Sequence, residues 1–229
     1  MRQGVILAFG LAAAALLARN IYWIFMVMPD EADQGAIWRI FYFHLPSAIN
    51  SFFLFYLGAG ASVGFLVNKS PKWDRVAAVA NEIGLVLALT TLFTGMIWAR
   101  IAWGIWWAWD HRLTSYLISI LLYSGYLMLR KSIDEPTQRG RLSAVLSIFA
   151  SLNLILVWKS IEWYRTQHPG PVLSIRNNGV SKMGEGMEAL AWWNVLAIGV
   201  FVVVIFMVRL RQAEMQSEID SLRRYAHAI

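Results

Sequence analysis

The sequence predicts an all-α, polytopic membrane protein: a bundle of six transmembrane helices with a Trp-rich amphipathic segment on its outer side. Three observations predict it. Hydrophobic residues make up 58% of the 229-residue chain and charged residues 15%, whereas a typical soluble domain carries about 25% charged residues. The apolar residues fall into six runs, each near the roughly 17–25 residues that a helix needs to cross a hydrocarbon core. Lys and Arg gather in alternate connections between the runs, as expected of a chain that threads back and forth through a bilayer.

The runs cover about residues 4–28, 46–67, 76–98, 113–129, 141–158 and 189–208. Arg2 followed by "VILAFGLAAAALLA" resembles a signal peptide. The apolar character resumes after Arg19-Asn20 with "IYWIFMVM", which is too long for a signal core, so an uncleaved anchor is expected. The second helix is expected to start near Pro46, because proline suits a first helical turn; His44 then lies at its outer mouth. The third run carries Asn81 and Glu82 near its inner end, and the fourth is the shortest but free of charge. A fifth helix from Arg141 to about Thr166 would be roughly 40 Å long, longer than a ~30 Å core, and would lift His168 to the outer interface. The tail from about 209 to 229 reads as a polar cytoplasmic helix. No repeat or low-complexity linker divides the chain, so residues 1–229 read as one domain.

Orientation follows from the basic residues. The N-terminus, loop 68–75, the turn near 130–141 and the tail hold twelve Lys and Arg in short segments, against seven in the longer loops 29–45, 99–112 and 159–188. The first set is read as cytoplasmic, with both termini inside. The net charge of +6 is scattered between apolar runs, so the expected partner is membrane lipid and not nucleic acid. Without cysteine, the chain has no disulfide, no thiolate metal site and no CxxCH haem attachment of its own.

The outer side collects the chemistry. "AWGIWWAWDHRLTSYL" packs Trp103, Trp106, Trp107 and Trp109 ahead of Asp110. As a short helix in the interface it would set Trp103, Trp106, Trp107 and Asp110 on one face and Trp109 elsewhere. Such a shelf is either a ligand platform or an aromatic belt at headgroup level, and the residues alone leave both open. His44 and His168, at similar heights, suit the two faces of one haem iron; each is equally readable as an interfacial histidine satisfied by water. Asp110 suits the N-cap of the fourth helix. Arg112 and Arg176 are able to grip a carboxylate bidentately, a propionate being the candidate, or to contact lipid phosphate. His111 reads as solvated, and His227 belongs to the tail. Arg19 and Glu82 lie within runs, at different depths and near opposite ends, and are not expected to pair.

These pieces resemble a known family. "WGIWWAWDHRLT" is similar to the WWD signature of the haem-handling membrane proteins of cytochrome c maturation, the CcmC/CcmF/CcsA family. "FHLPSA" and "EWYRTQHPG" resemble the flanking histidine segments of its CcmC branch, and six spans fit that branch; CcmF-type and CcsA-type relatives carry more spans and further histidines. The resemblance covers most of the chain. It implies that haem b is held at the periplasmic face of the bacterial inner membrane, as transferred cargo and not as a permanent cofactor. It also implies presentation to the haem chaperone CcmE, with CcmD and a CcmA–CcmB ABC transporter as further partners. Carried onto this chain, His44 and His168 take the axial-ligand positions, and Trp103, Trp106, Trp107, Trp109 and Asp110 the platform. His111 falls at the variable place of the signature. The work implied is binding and hand-over, without catalytic residues of the chain's own. The alternative is a membrane b-type cytochrome exchanging electrons with quinone. Such proteins ligate haem inside the bundle, and none of these histidines lies within a predicted span. A permease would need a polar path, and apart from Arg19, Asn81, Glu82 and Asn153 the spans are bland.

Overall fold

The computed structural model describes residues 2–170, 172–176 and 178–227. Six helices account for most of it: α1 (Arg2–Tyr22), α2 (Phe41–Asn68), α3 (Pro71–Ala102), α4 (His111–Ser132), α5 (Pro136–Trp163) and α6 (Met187–His227). Each is long and apolar enough to cross a membrane. The only β pairing among the described residues is an isolated bridge between Glu31 and Gly35. The protein is therefore a six-helix membrane bundle.

Local chemistry sets the helix ends. α1 closes in a π turn, Trp23–Val27, and the Arg39 guanidinium caps it by donating from Nε to the Ile24 carbonyl at 2.9 Å. Between α2 and α3, Lys69 takes the left-handed conformation (φ 54°) and Pro71 opens the next helix. Asp110 caps α4, its carboxylate accepting from the Leu113 N–H at 2.8 Å. Glu135 caps α5 through the N–H groups of Thr137 and Gln138.

Two expected boundaries are corrected. α5 starts at Pro136 and leaves helical geometry at Tyr164 (ψ 157°), so it begins five residues before Arg141 and stops short of Thr166. α2 starts at Phe41, directly after a 3-10 turn over Ala36–Ile40, which puts Pro46 and His44 inside it. Proline has no N–H to give the carbonyl four residues back. That carbonyl belongs to Tyr42, and the Asn194 side-chain amide of α6 donates to it at 2.7 Å. Asn194 in turn accepts from Asn20 of α1 at 2.9 Å. The proline is accommodated because another helix supplies the missing donor.

The interior follows the same logic. Lipid gives helices no hydrophobic reason to associate, so small residues and interhelical hydrogen bonds hold them. α2 is central and touches α3, α5 and α6. Gly58 lies under Asn81, Gly84 under Phe55 and Gly140 under Phe65, each leaving too little room for a Cβ. Asn81 donates to Ser147 Oγ at 2.9 Å, and Asn153 donates to the Ser115 carbonyl and Ser119 Oγ at 2.7 and 2.8 Å. Phe55 and Tyr123 stack at the centre, ring centroids 3.6 Å apart. Leu7, Leu11, Phe53, Phe93, Leu121 and Phe149 point outward, as a lipid-facing surface requires. The two charges within spans find separate partners: Arg19 lies over the Trp23 and Trp193 rings, and Glu82 accepts from Arg209 at 2.8 Å.

Asn194→Leu should lower unfolding stability by about 1–2 kcal/mol, the range for a buried hydrogen bond between membrane helices. Adding Pro46→Ala should recover part of that loss by giving the Tyr42 carbonyl a helical donor again. SDS-titration unfolding of the two single variants and the double variant checks this; strictly additive losses would show that the two residues do not share the carbonyl.

Candidate functional site

A cavity of about 510 Å³ opens at the end of the bundle where the α1–α2, α3–α4 and α5–α6 connections meet. Its size lies within the 300–1,000 Å³ usual for small-molecule sites. Its wall includes His44, His168, Trp103, Trp106, Trp107 and Arg112, all singled out from sequence. Phe41, Phe52, Tyr116, Trp158 and Trp192 complete an aromatic lining.

His44 projects from the first turn of α2 toward α3. Its Nδ1 lies 3.1 Å from Thr94 Oγ1. The Thr94 hydroxyl has one proton and directs it to the backbone, 2.7 Å from the Thr90 carbonyl and 3.1 Å from that of Thr91. Oγ1 is therefore the acceptor and Nδ1 carries the hydrogen; in the neutral ring Nε2 then keeps its lone pair. Gly95 makes room for the ring: a Cβ there would stand 3.0 Å from His44 Cε1.

His168 reaches the same cavity from the loop after α5. Its Nδ1 lies 2.9 Å from the Pro169 carbonyl oxygen. A carbonyl only accepts, so this histidine holds the same tautomer and again leaves Nε2 free. Desolvation, followed by the nearby Arg112 guanidinium, pushes its pKa down to about 3, against a smaller upward pull from the Pro169 hydrogen bond. A neutral imidazole whose second nitrogen is hydrogen-bonded is the form in which histidine ligates metals. Two imidazoles are too few for a bare ion and suit a metal that brings its own equatorial ligands, as haem does.

Asp110 lies outside the lining and acts on the loop. One carboxylate oxygen caps α4, and the other accepts from the Gln167 N–H at 2.9 Å. It thereby ties the residue before His168 to the start of α4. Further along, Glu188 of α6 accepts from the Ser174 N–H and hydroxyl at 3.0 and 2.6 Å.

The Trp-rich segment between α3 and α4 is not a helix, which overturns the helical-face reading. Gly104 (φ 76°) turns the chain just after α3 ends, and Asp110 is extended at the start of α4 (ψ 169°). Trp103, Trp106 and Trp107 reach the cavity from this loop. Trp109 is 78% exposed and meets Trp107 edge-on at 5.8 Å. Trp107 Nε1 is buried without a hydrogen-bond partner. Behind the loop, Trp98 meets Trp103 edge-on and donates to Gln34 Oε1 at 2.7 Å. Arg112 donates to the Val157 carbonyl at 3.2 Å, and His111 stacks on Tyr164. The Arg176 side chain lies outside the described residues. Thr94, Gly95 and Gln167 were not singled out from sequence; "TTLFTG", a hydroxyl-rich break in an apolar run, was the available signal for the first two.

Fold and site together define an integral membrane protein with an aromatic pocket at one end and two imidazoles on its wall. The family described as CcmC: Heme exporter protein C matches residues 1–225. The heme exporter protein C of Bradyrhizobium diazoefficiens is 36% identical over 172 residues, covering 75% of this chain and 65% of that protein. The Rhodobacter capsulatus protein of that name is 34% identical over 175 residues, 76% of this chain and 72% of its own length. The Escherichia coli K12 protein is 35% identical over 162 residues, 70% and 66% of the two lengths. The matched region thus spans about two thirds of the length of these relatives. The chain belongs to the CcmC family.

Asp110→Ala should cost about 1 kcal/mol for the lost cap and raise amide exchange across residues 165–169, with Asp110→Asn intermediate; unchanged exchange in the alanine variant would show that the tie does not hold the loop. His168 should not titrate between pH 5 and 8 in histidine-labelled NMR spectra. Released from the cavity it would take its proton near pH 6.5, so docking of the loop is strongest above that pH and weakens as pH falls toward 3. A His168 titration near pH 6.5 would contradict a neutral ring docked in the cavity.

Proposed function

We propose that this protein binds haem b in the aromatic cavity, at the periplasmic face of the bacterial inner membrane, and presents it to the haem chaperone CcmE during c-type cytochrome biogenesis. The observation that carries the reading is the pair of histidines: His44 and His168, far apart in sequence, stand on one aromatic wall with Nδ1 of each engaged in a hydrogen bond. The names of the relatives, heme exporter proteins C, point the same way. The excess of Lys and Arg at the opposite end supports a cytoplasmic assignment for that end and hence a periplasmic site, with both termini inside.

In this reading His44 and His168 ligate the iron, while Trp103, Trp106 and Trp107 bear on the porphyrin. Arg112 neutralises a propionate, and the buried Trp107 N–H offers a second donor; Arg176 is a further propionate candidate. Asp110 positions the His168 loop, and exposed Trp109 sits at the rim, facing lipid headgroups or a partner. Because His168 rides on a loop tied at two places, one ligand is able to leave with that loop while the other stays fixed on α2. Haem is cargo here. The chain supplies binding, orientation and exclusion of water, and the chaperone supplies the group that forms the covalent bond. CcmD and the CcmA–CcmB transporter are the partners that complete the assembly.

The test is purification with haem, with and without the chaperone. His44→Ala and His168→Ala should each change the low-spin visible spectrum; an unchanged spectrum in both would sink the ligand assignment. Thr94→Val, which removes the group orienting His44, should weaken haem binding by roughly 10–100-fold, as loss of a ligand's supporting hydrogen bond does elsewhere. Trp106→Ala with Trp107→Ala should reduce covalent loading of the chaperone while the protein still inserts. Normal loading in that variant would leave the tryptophans as interfacial ballast.

A further inference from the structure

A second cavity, of about 740 Å³, lies at the opposite end of the bundle, between the α2–α3 connection, the α4–α5 turn and the C-terminal part of α6. Its lining is charged where the first is aromatic. Two of its five cations are already matched. Arg130 grips Asp74 with two bonds of 2.6 and 2.8 Å, and Arg209 holds Glu82 at 2.8 Å. Lys69 donates to the Leu66 carbonyl, which leaves its charge uncompensated. The remaining acid, Asp220, accepts from Gln216 at 2.8 Å.

The other two cations, Arg75 and Arg139, stand apart. Arg75 lies in the second turn of α3 and Arg139 in the first turn of α5, and the Nε of each is buried without a hydrogen-bond partner. A buried donor left unmade costs free energy, more so on a charged group. Nε is also one of the N–H groups with which a guanidinium forks onto two oxygens. The two side chains face one cavity from different helices, beside the positive ends of α3 and α5, whose first residues Pro71 and Pro136 also line it.

We infer that this cavity binds the phosphate group of an anionic ligand, with Arg75 and Arg139 as the paired donors and Lys69 as the supporting charge. Phosphate offers several strong acceptors and the negative charge that offsets a lining with more cations than carboxylates. Bilayer phospholipid is the nearer source. Trp73, 42% exposed and adjacent in sequence to Asp74 of the wall, is the residue type that marks headgroup level, and the volume has room for more than a bare phosphate.

The test uses the full chain in detergent. One arm measures retention of phosphatidylglycerol against phosphatidylcholine by native mass spectrometry; the other measures the thermal shift with inorganic pyrophosphate. Arg75→Gln and Arg139→Gln should each reduce binding about tenfold, one charge-assisted hydrogen bond's worth of affinity, and the double variant should lose more than either. Arg75→Lys with Arg139→Lys should recover part of it, keeping charge but not the fork. The single glutamine variants carry the test if the double variant does not fold. Arginine-dependent retention of phosphatidylglycerol identifies a lipid headgroup. An arginine-dependent pyrophosphate shift without lipid dependence identifies a soluble phosphate and upholds the site. Dependence in neither arm overturns the inference. So does an equal loss in Arg141→Gln, whose exposed side chain lies on the next turn outside the lining.

Discussion

A carbonyl deprived of its helical donor cannot be left unsatisfied inside a bilayer, where no water replaces the lost bond. Pro46 creates that situation at Tyr42, and the answer to it organises the site end of the bundle. Asn194 donates to the Tyr42 carbonyl and accepts from Asn20, so one polar knot joins α1, α2 and α6. His44 lies between Tyr42 and Pro46 in sequence, on the same turns of α2. Its height and direction are therefore fixed by the bond that rescues the proline, with Thr94 and Gly95 setting the ring itself.

The two ends of the molecule are built for different chemistry. One carries an aromatic cavity with two imidazoles on its wall; the other carries a cavity of paired and unpaired charges. Between them the interior is closed by ring stacking and by asparagine–serine bonds. This division suits the two proposed roles, haem binding at one membrane face and phosphate binding at the other. The aromatic site also differs within itself. His44 is set in a helix, and His168 is set in a loop held by the Asp110 carboxylate at Gln167 and by Glu188 at Ser174. A ligand pair with one rigid and one releasable member fits hand-over better than permanent retention.

Much of this was legible in the residues because hydropathy and capping act locally. The six spans, Asp110 as a helix cap and the gathering of the tryptophans and both histidines at one end all follow from patterns within a few residues. Sequence alone opens α2 at Pro46, a residue suited to a first turn; the donor that lets the helix begin earlier lies 152 positions from Tyr42 in sequence. The Trp-rich loop was misread as helical because spacing alone allows that periodicity. Gly104 and the extended Asp110 break it, and a one-face argument is blind to both.

Span number, lipid-facing surface and the identity of the metal-capable side chains were determined by composition and order, since each depends on side-chain chemistry alone. Tautomer, cavity and the groups that orient the two histidines were decided by tertiary packing. Thr94 is a donor to its own helix until His44 is brought to it. Gln167 is an ordinary loop residue until Asp110 accepts from it, and Arg75 and Arg139 are basic surface residues until two helices turn them into one cavity. These properties belong to pairs of residues distant in sequence, and only the packing of helices without a hydrophobic driving force between them chooses the pairs.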